Sequence, residues 1–194
     1  MANLRLAAIC RNSSNHGPGT RYTVWVQGCD KKCKGCISPE WQTTTGGMDM
    51  DTEELALDIL TRPAVTGVTI SGGEPLLQAP ALVALLSMLR RARPSIDVIL
   101  FTGYTMGQLA LGGTPDQHLA ISLVDLVIDG PYVAHLNDNK GLRGSSNQTL
   151  TYITDRLRSY HEQLTTSERK VTIYQDGKLG YFLSGVPPKG MEDL

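Results

Sequence analysis

QGCDKKCKGC, residues 27–36, holds three of the chain's four cysteines within eight positions, and the fourth, Cys10, stands well upstream. Immediately before it runs Tyr22-Thr23-Val24-Trp25-Val26, β-branched and aromatic, which predicts a strand. The thiols therefore sit in a loop that follows a strand. Reduced thiolates bind zinc or iron–sulfur clusters. A structural zinc site takes four protein ligands, and this spacing supplies three. A four-iron cluster held by three cysteines keeps one iron without a protein ligand, free to take a substrate. Gly28 and Gly35 flank the loop and let backbone approach sulfur. Lys31, Lys32 and Lys34 offset the negative charge of a cluster and its thiolates. The zinc alternative needs Cys10 or His16 as a fourth ligand, although Cys10 reads more simply as a small buried hydrophobe.

Outward from the cysteines, strands alternate with helices. DTEELALDIL (51–60) opens with Asp51 or Thr52 as N-cap and early acids, which predicts a helix. VTGVTI (65–70) predicts a strand ending at SGGEP. APALVALLSMLRRAR (79–93) is apolar at helical spacing, with Pro80 in the first turn and arginines near the end that cap the helix and face water. IDVILFT (96–102) and VDLVID (124–129) are near-continuous apolar runs, as in parallel strands covered on both faces. TMGQLAL and PDQHLAISL suggest short helices. The polar groups follow strand ends: the cysteines, SGGEP, TGYT and DGPY. In barrels and open α/β sheets that is where sites lie. Within the tail, 155–169 is polar and partly helical, and KVTIYQDGKLGYFLSG (170–185) reads as two strands around an Asp176-Gly177 turn.

The chain has 194 residues, 41% hydrophobic and 19% charged, with net charge −1. That is enough for one domain with a full core. Nothing in the charge balance calls for nucleic acid or a membrane surface. No apolar run reaches the ~18 residues of a membrane helix, and the first residues lack the pattern of a signal peptide. A cytoplasmic location is expected, where thiols stay reduced and clustered cysteines point to metal or catalysis. No serine triad or Walker-type phosphate loop is evident. His118, His135 and His161 show no ligand spacing.

Together these motifs resemble a known family. Cys-x3-Cys-x2-Cys after a strand is the motif of radical S-adenosylmethionine (SAM) enzymes. GPGTRYTVWVQGC resembles the lead-in of glycyl-radical activating enzymes, and SGGEP resembles the GGE motif. VDLVIDGPYV followed by LRGSSNQ resembles the activating proteins of anaerobic ribonucleotide reductase. The resemblance spans about residues 5 to 152. It implies an α/β fold, a shortened, incomplete (β/α) barrel of radical SAM type, to which the strands read in 170–185 add a C-terminal β-hairpin appendage. The tail after about residue 155 departs from the short activators, and the composition itself reads as a core over 1–154 and an extension over 155–194 that is no independent domain. The resemblance implies a [4Fe–4S] cluster on Cys29, Cys33 and Cys36, and reductive cleavage of SAM to a 5′-deoxyadenosyl radical. Gly72, Gly73 and Glu74 would hold the SAM amine. Gly35, Ile37 and the Thr102–Tyr104 segment would line the adenosine. Asp129 would accept from a ribose hydroxyl or the amine, and Arg143 and Asn147 would reach the SAM carboxylate or a partner. Residue by residue, SGGEP and Asp129 also fit plain turns, and Arg143 fits a solvated loop charge. Many radical SAM enzymes carry an aromatic residue just before the third cysteine. Here it is Gly35, as in the reductase activators. The implied partners are a glycyl-radical enzyme such as anaerobic ribonucleotide reductase and a flavodoxin or ferredoxin as electron donor. The alternatives are a stand-alone radical SAM enzyme acting on a small molecule or peptide, and a non-catalytic zinc or iron–sulfur binding module.

Overall fold

In the computed structural model, which describes residues 2–176 and 180–188, the strand before the cysteines is the second of the chain, not the first. Strand β1 (Asn3–Ser13) precedes β2 (Arg21–Val26) and pairs antiparallel with it. In the sequence this segment shows only a short apolar patch. The pairing carries register shifts between Leu6 and Ala8 and between Cys10 and Ser13, and such irregularity blurs the period of two. The other elements follow in order: β3 (Met48–Asp51), α1 (Thr52–Leu60), β4 (Gly67–Gly72), α2 (Ala79–Ala92), β5 (Asp97–Thr102), α3 (Met106–Gly112), α4 (Pro115–Ser122), β6 (Leu126–Asp129), β7 (Thr149–Tyr152), α5 (His161–Thr166), β8 (Thr172–Asp176) and β9 (Gly180–Ser184). Asp51 caps α1 by accepting from the backbone N–H groups of Glu53 and Glu54. Thr105 and Thr114 form capping boxes at α3 and α4.

Seven strands make one sheet in the order β3-β1-β2-β4-β5-β6-β7. The four central strands, β2, β4, β5 and β6, run parallel, and β1, β3 and β7 are antiparallel to their neighbours. The sheet is mixed and is not closed into a barrel. β8 and β9 pair antiparallel in a separate two-stranded sheet. The turn expected at Asp176-Gly177 reaches residues 177–179, which lie outside the described residues.

The two faces of the sheet are covered differently. Val24, Val26, Val68, Ile70, Val98, Leu100 and Val127 pack under Leu55 and Ile59 of α1, Leu82, Leu85, Leu86 and Leu89 of α2, and Ile121 of α4. The alternate residues point the other way. Ile99, Leu126 and Ile128 meet Leu142, Leu157 and Leu164, so the polar stretch around 155–169 buries two leucines under the sheet. Ala8, Cys10 and Trp25 form a small cluster at the other side. Between them lies a polar strip built on Arg21, which is fully buried and ion-paired with Asp97 at 2.6 Å. Its guanidinium also donates to Thr69 Oγ1 at 2.6 Å and to the carbonyls of Val68 and Pro18, so the charge is satisfied in place.

The arginines of LRRAR do not all face water. Arg90 donates to the carbonyls of Leu123 and Ile96 and pairs with Asp125, and Arg93 donates to the carbonyls of Val65 and Leu60. They bind carbonyls that the ends of neighbouring elements leave without backbone partners. Among the described residues, no helix is long and apolar enough to cross a membrane.

Candidate functional site

The parallel strands β2, β4, β5 and β6 end along one edge, and the loops after them enclose a cavity of about 540 Å³. Cys29, Cys33 and Cys36 all line it and all are free thiols. The cysteine loop folds back on itself. Cys36 N–H donates to the Cys33 carbonyl at 3.2 Å, and the N–H groups of Gly28 and Cys29 donate to the carbonyls of Trp41 and Gln42. Lys31 N–H points at Cys29 Sγ, 3.4 Å away. Burial is the main cause that pushes the Cys29 and Cys33 thiols above their usual range, and the Glu74 carboxylate adds to it.

The SGGEP segment is pressed against this loop. Gly73 N–H donates to the Val26 carbonyl and Glu74 N–H to the Gly28 carbonyl, both at 2.8 Å. A Cβ on Gly73 would stand 2.2 Å from the Gly28 carbonyl oxygen. Gly72, at φ +104°, has a conformation few other residues adopt. The pair of glycines therefore reflects two backbones in contact, more than a bare turn. Glu74 is fully buried and its carboxylate ties strand ends together. Oε1 accepts from Leu76 N–H at 3.0 Å and Thr102 Oγ1 at 2.8 Å, and Oε2 from Gly103 N–H at 2.7 Å. Burial raises its pKa, opposed by those hydrogen bonds and by nearby Lys31. Lys31 in turn lies 3.1 Å from the centroid of the Tyr104 ring and 3.2 Å from Asp30, whose carboxylate also accepts from Tyr104 Oη.

The structure brings eight of the candidate residues to the cavity wall: Cys29, Cys33, Cys36, Ile37, Gly72, Gly73, Glu74 and Thr102. It leaves five outside that lining. Gly35 lies between two lining cysteines, with φ +72°. Tyr104 holds Lys31 from behind. Asp129 accepts from Met106 N–H and Thr151 Oγ1, joining β6 to α3 and β7. Arg143 pairs with Asp138 at 2.9 Å, and Asn147 donates to the Pro131 carbonyl. Sequence reasoning passed over other lining residues: Trp25, Trp41, Tyr132, Gln148 and the segment Gly185–Pro187. Tyr132 and Gln148 belong to the DGPY and RGSSNQ motifs, in which Asp129, Arg143 and Asn147 were the expected site residues. Gln148 is nearly buried and braces its own loop, accepting from Gly144 N–H and donating to the Gly130 carbonyl.

The two candidate fourth ligands for zinc are both accounted for otherwise. Cys10 is buried beside Ala8 and Trp25, away from the cavity lining. His16 lines the cavity edge-on to Trp25, but both ring nitrogens are engaged. Nδ1 lies 2.9 Å from Ser13 Oγ, and Nε2 accepts from Gly185 N–H at 3.2 Å. Among the described residues no three His, Cys, Asp or Glu side chains converge as ligands of one ion would. A cluster asks for less convergence, since each thiolate caps its own corner iron. Three free thiols along one cavity fit that donor set.

Burial, and secondly the charge of Arg21, lowers the pKa of His16 to about 4. The folded value lies below the unfolded ~6.5, so stability from the neutral ring is complete above pH 6.5 and is lost as pH falls toward 4. Between pH 7 and pH 5 the loss is about 2 kcal/mol. Urea unfolding at the two pH values should show that loss in the wild type and lack it in His16→Gln. Equal pH dependence in both would contradict the assignment.

A family model described as "4Fe-4S single cluster domain" matches residues 15–151. The anaerobic ribonucleoside-triphosphate reductase-activating protein of Salmonella typhi is 32% identical over 145 residues, 71% of this chain and 92% of that protein. The Vibrio cholerae protein of the same name is 34% identical over 148 residues, 72% and 92% of the two chains. That of enterobacteria phage T4 is 33% identical over 144 residues, 72% and 88%. The chain belongs to the anaerobic ribonucleotide reductase-activating protein family. The family model's range contains the cysteine loop, SGGEP, DGPY and RGSSNQ, hence every candidate site residue. It stops short of Gly185–Pro187, so this member of the family has a cavity wall contributed from beyond it.

Proposed function

We propose that the chain is a cytoplasmic radical SAM enzyme that activates an anaerobic ribonucleotide reductase by generating a glycyl radical on it. The observation that carries this reading is the shared cavity of three free cysteines and the SGGEP loop in a chain of this family. Cys29, Cys33 and Cys36 hold the cluster, and Lys31 N–H steadies the Cys29 sulfur. A reduced [4Fe–4S] cluster held there would supply the electron for reductive cleavage of the SAM sulfonium, giving methionine and a 5′-deoxyadenosyl radical. The carbonyls of Gly72 and Gly73 and the Glu74 carboxylate accept from the SAM amine, while Ile37 and Thr102 border the adenosine. Gly35, whose Cβ position would stand 3.0 Å from Ala134 Cβ, lets the loop pack closely between the cysteines. Tyr104 and Asp129 position these walls from behind, and Arg143 and Asn147, on an outer loop, meet the partner. A flavodoxin or ferredoxin supplies the electron. The open seven-stranded sheet is read as a shortened (β/α) barrel of radical SAM type, its core within residues 1–154. An incomplete barrel leaves a side through which a protein loop reaches the site.

A second reading, a stand-alone radical SAM enzyme for a small molecule or peptide, is favoured by one observation: Gly185–Pro187, from the tail, lines the cavity. One experiment separates the two. The reconstituted protein, reduced anaerobically with SAM, is mixed with the anaerobic reductase of the same organism and followed by electron paramagnetic resonance. A glycine-centred doublet on the reductase is expected. SAM turnover without that doublet would favour the second reading.

A further inference from the structure

His16 is 3% exposed, and its hydrogen bonds go outside the family match. Besides accepting from Gly185 N–H, its ring has Nδ1 3.3 Å from Ser184 Oγ, and Ser184 is fully buried. Neighbouring groups hold the same segment. Asn15 Nδ2 donates to the Ser184 carbonyl at 3.2 Å and to Thr172 Oγ1 at 2.7 Å. Arg169, whose side chain is 2% exposed, donates to the Pro187 carbonyl at 3.4 Å. At Gly185 the backbone takes φ +127°, and a Cβ there would lie 2.3 Å from the Lys170 carbonyl oxygen. The chain thus turns at a glycine directly after the histidine contact. Gly185, Val186 and Pro187 then run along the cavity that holds the three cysteines.

Buried polar groups are kept where their partners hold them, and breaking one such contact leaves a costly orphan. These four contacts, together with the β8–β9 pairing that ends at Ser184, fix the segment against the cavity. Val186 and Pro187 bring an apolar surface, and Pro187 brings no N–H that a ligand would have to satisfy. We propose that Gly185–Pro187, latched by His16, is a ligand-contacting wall of the SAM site that slows release of bound SAM. This rests on the reading of the cavity as a SAM site. In it His16 is a positioning residue, acting through the wall.

The test uses the full chain, cluster-reconstituted and unreduced so that SAM is not consumed, with SAM itself as probe. Hydrogen–deuterium exchange should slow in peptides spanning 184–187 when SAM is added. His16→Phe should raise the SAM Kd about ten-fold, the size of one lost buried hydrogen bond. His16→Gln, whose side-chain carbonyl can accept from Gly185 N–H, should return toward the wild-type value. Iron content should be the same in all three. If His16→Phe does not fold, Val186→Gly keeps the latch and gives the same Kd test. SAM-dependent protection around Gly72–Glu74 but none at 184–187, or an unchanged Kd in the variants, would overturn the wall while leaving the SAM site standing. No protection at either place, with no SAM binding by the wild type, would overturn both.

Discussion

Cys29→Ala, Cys33→Ala and Cys36→Ala, made one at a time, each abolish the cluster: iron after anaerobic reconstitution falls from about four per chain toward zero, and the broad visible absorbance of the cluster disappears. The effect is large because the chain offers only three thiolates at the cavity. A cluster already short of one protein ligand has no spare donor to replace another. Among nearby groups, Glu74 is committed to Leu76, Thr102 and Gly103, and His16 to Ser13 and Gly185. Cys10→Ala is the control. Cys10 is 3% exposed in an apolar cluster, so its loss trims packing and leaves the iron content unchanged. Iron retained by the three cavity variants and lost by Cys10→Ala would reverse the assignment.

Gly73→Ala is expected to cost both stability and SAM binding. The added methyl would lie 2.2 Å from the carbonyl oxygen and 2.7 Å from the carbonyl carbon of Gly28, so one backbone has to move. Overpacking of this kind costs about 1–3 kcal/mol, which for a chain of this size lowers Tm by about 5 °C. The movement also strains the hydrogen bond from Glu74 N–H to that same carbonyl. That displaces the loop relative to the cysteines, and SAM affinity should fall ten-fold or more. Gly112→Ala is the matched control, since nothing lies within 4 Å of its Cβ position. A Gly73→Ala protein with wild-type Tm and Kd would show that the contact between the two loops is dispensable.

Much of this site could be read from the sequence because its residues follow strand ends. Val24 through Cys29, Ile70 through Glu74 and Leu100 through Gly103 each pass from an apolar strand into a polar loop. Parallel pairing of those strands then brings the loops together. What could not be read depended on contacts distant in sequence. β1 is recognisable only beside β2, since its bulges break the alternation. Asp129 accepts from Met106 N–H and Thr151 Oγ1, both more than twenty positions away, whereas Arg143 pairs with Asp138 inside its own loop. The part of Gly185–Pro187 in the cavity rests on His16, about 170 positions away, and no local pattern announces it.

The most direct test of the central claim is chemical. The protein is reconstituted anaerobically with iron and sulfide, reduced with dithionite, given SAM, and assayed for 5′-deoxyadenosine and methionine, with the cognate anaerobic reductase present. The account predicts both products in equal amounts, and neither when Cys33→Ala replaces the wild type. A fully assembled cluster that leaves SAM intact with the reductase present would contradict it and make the protein a cluster-binding module.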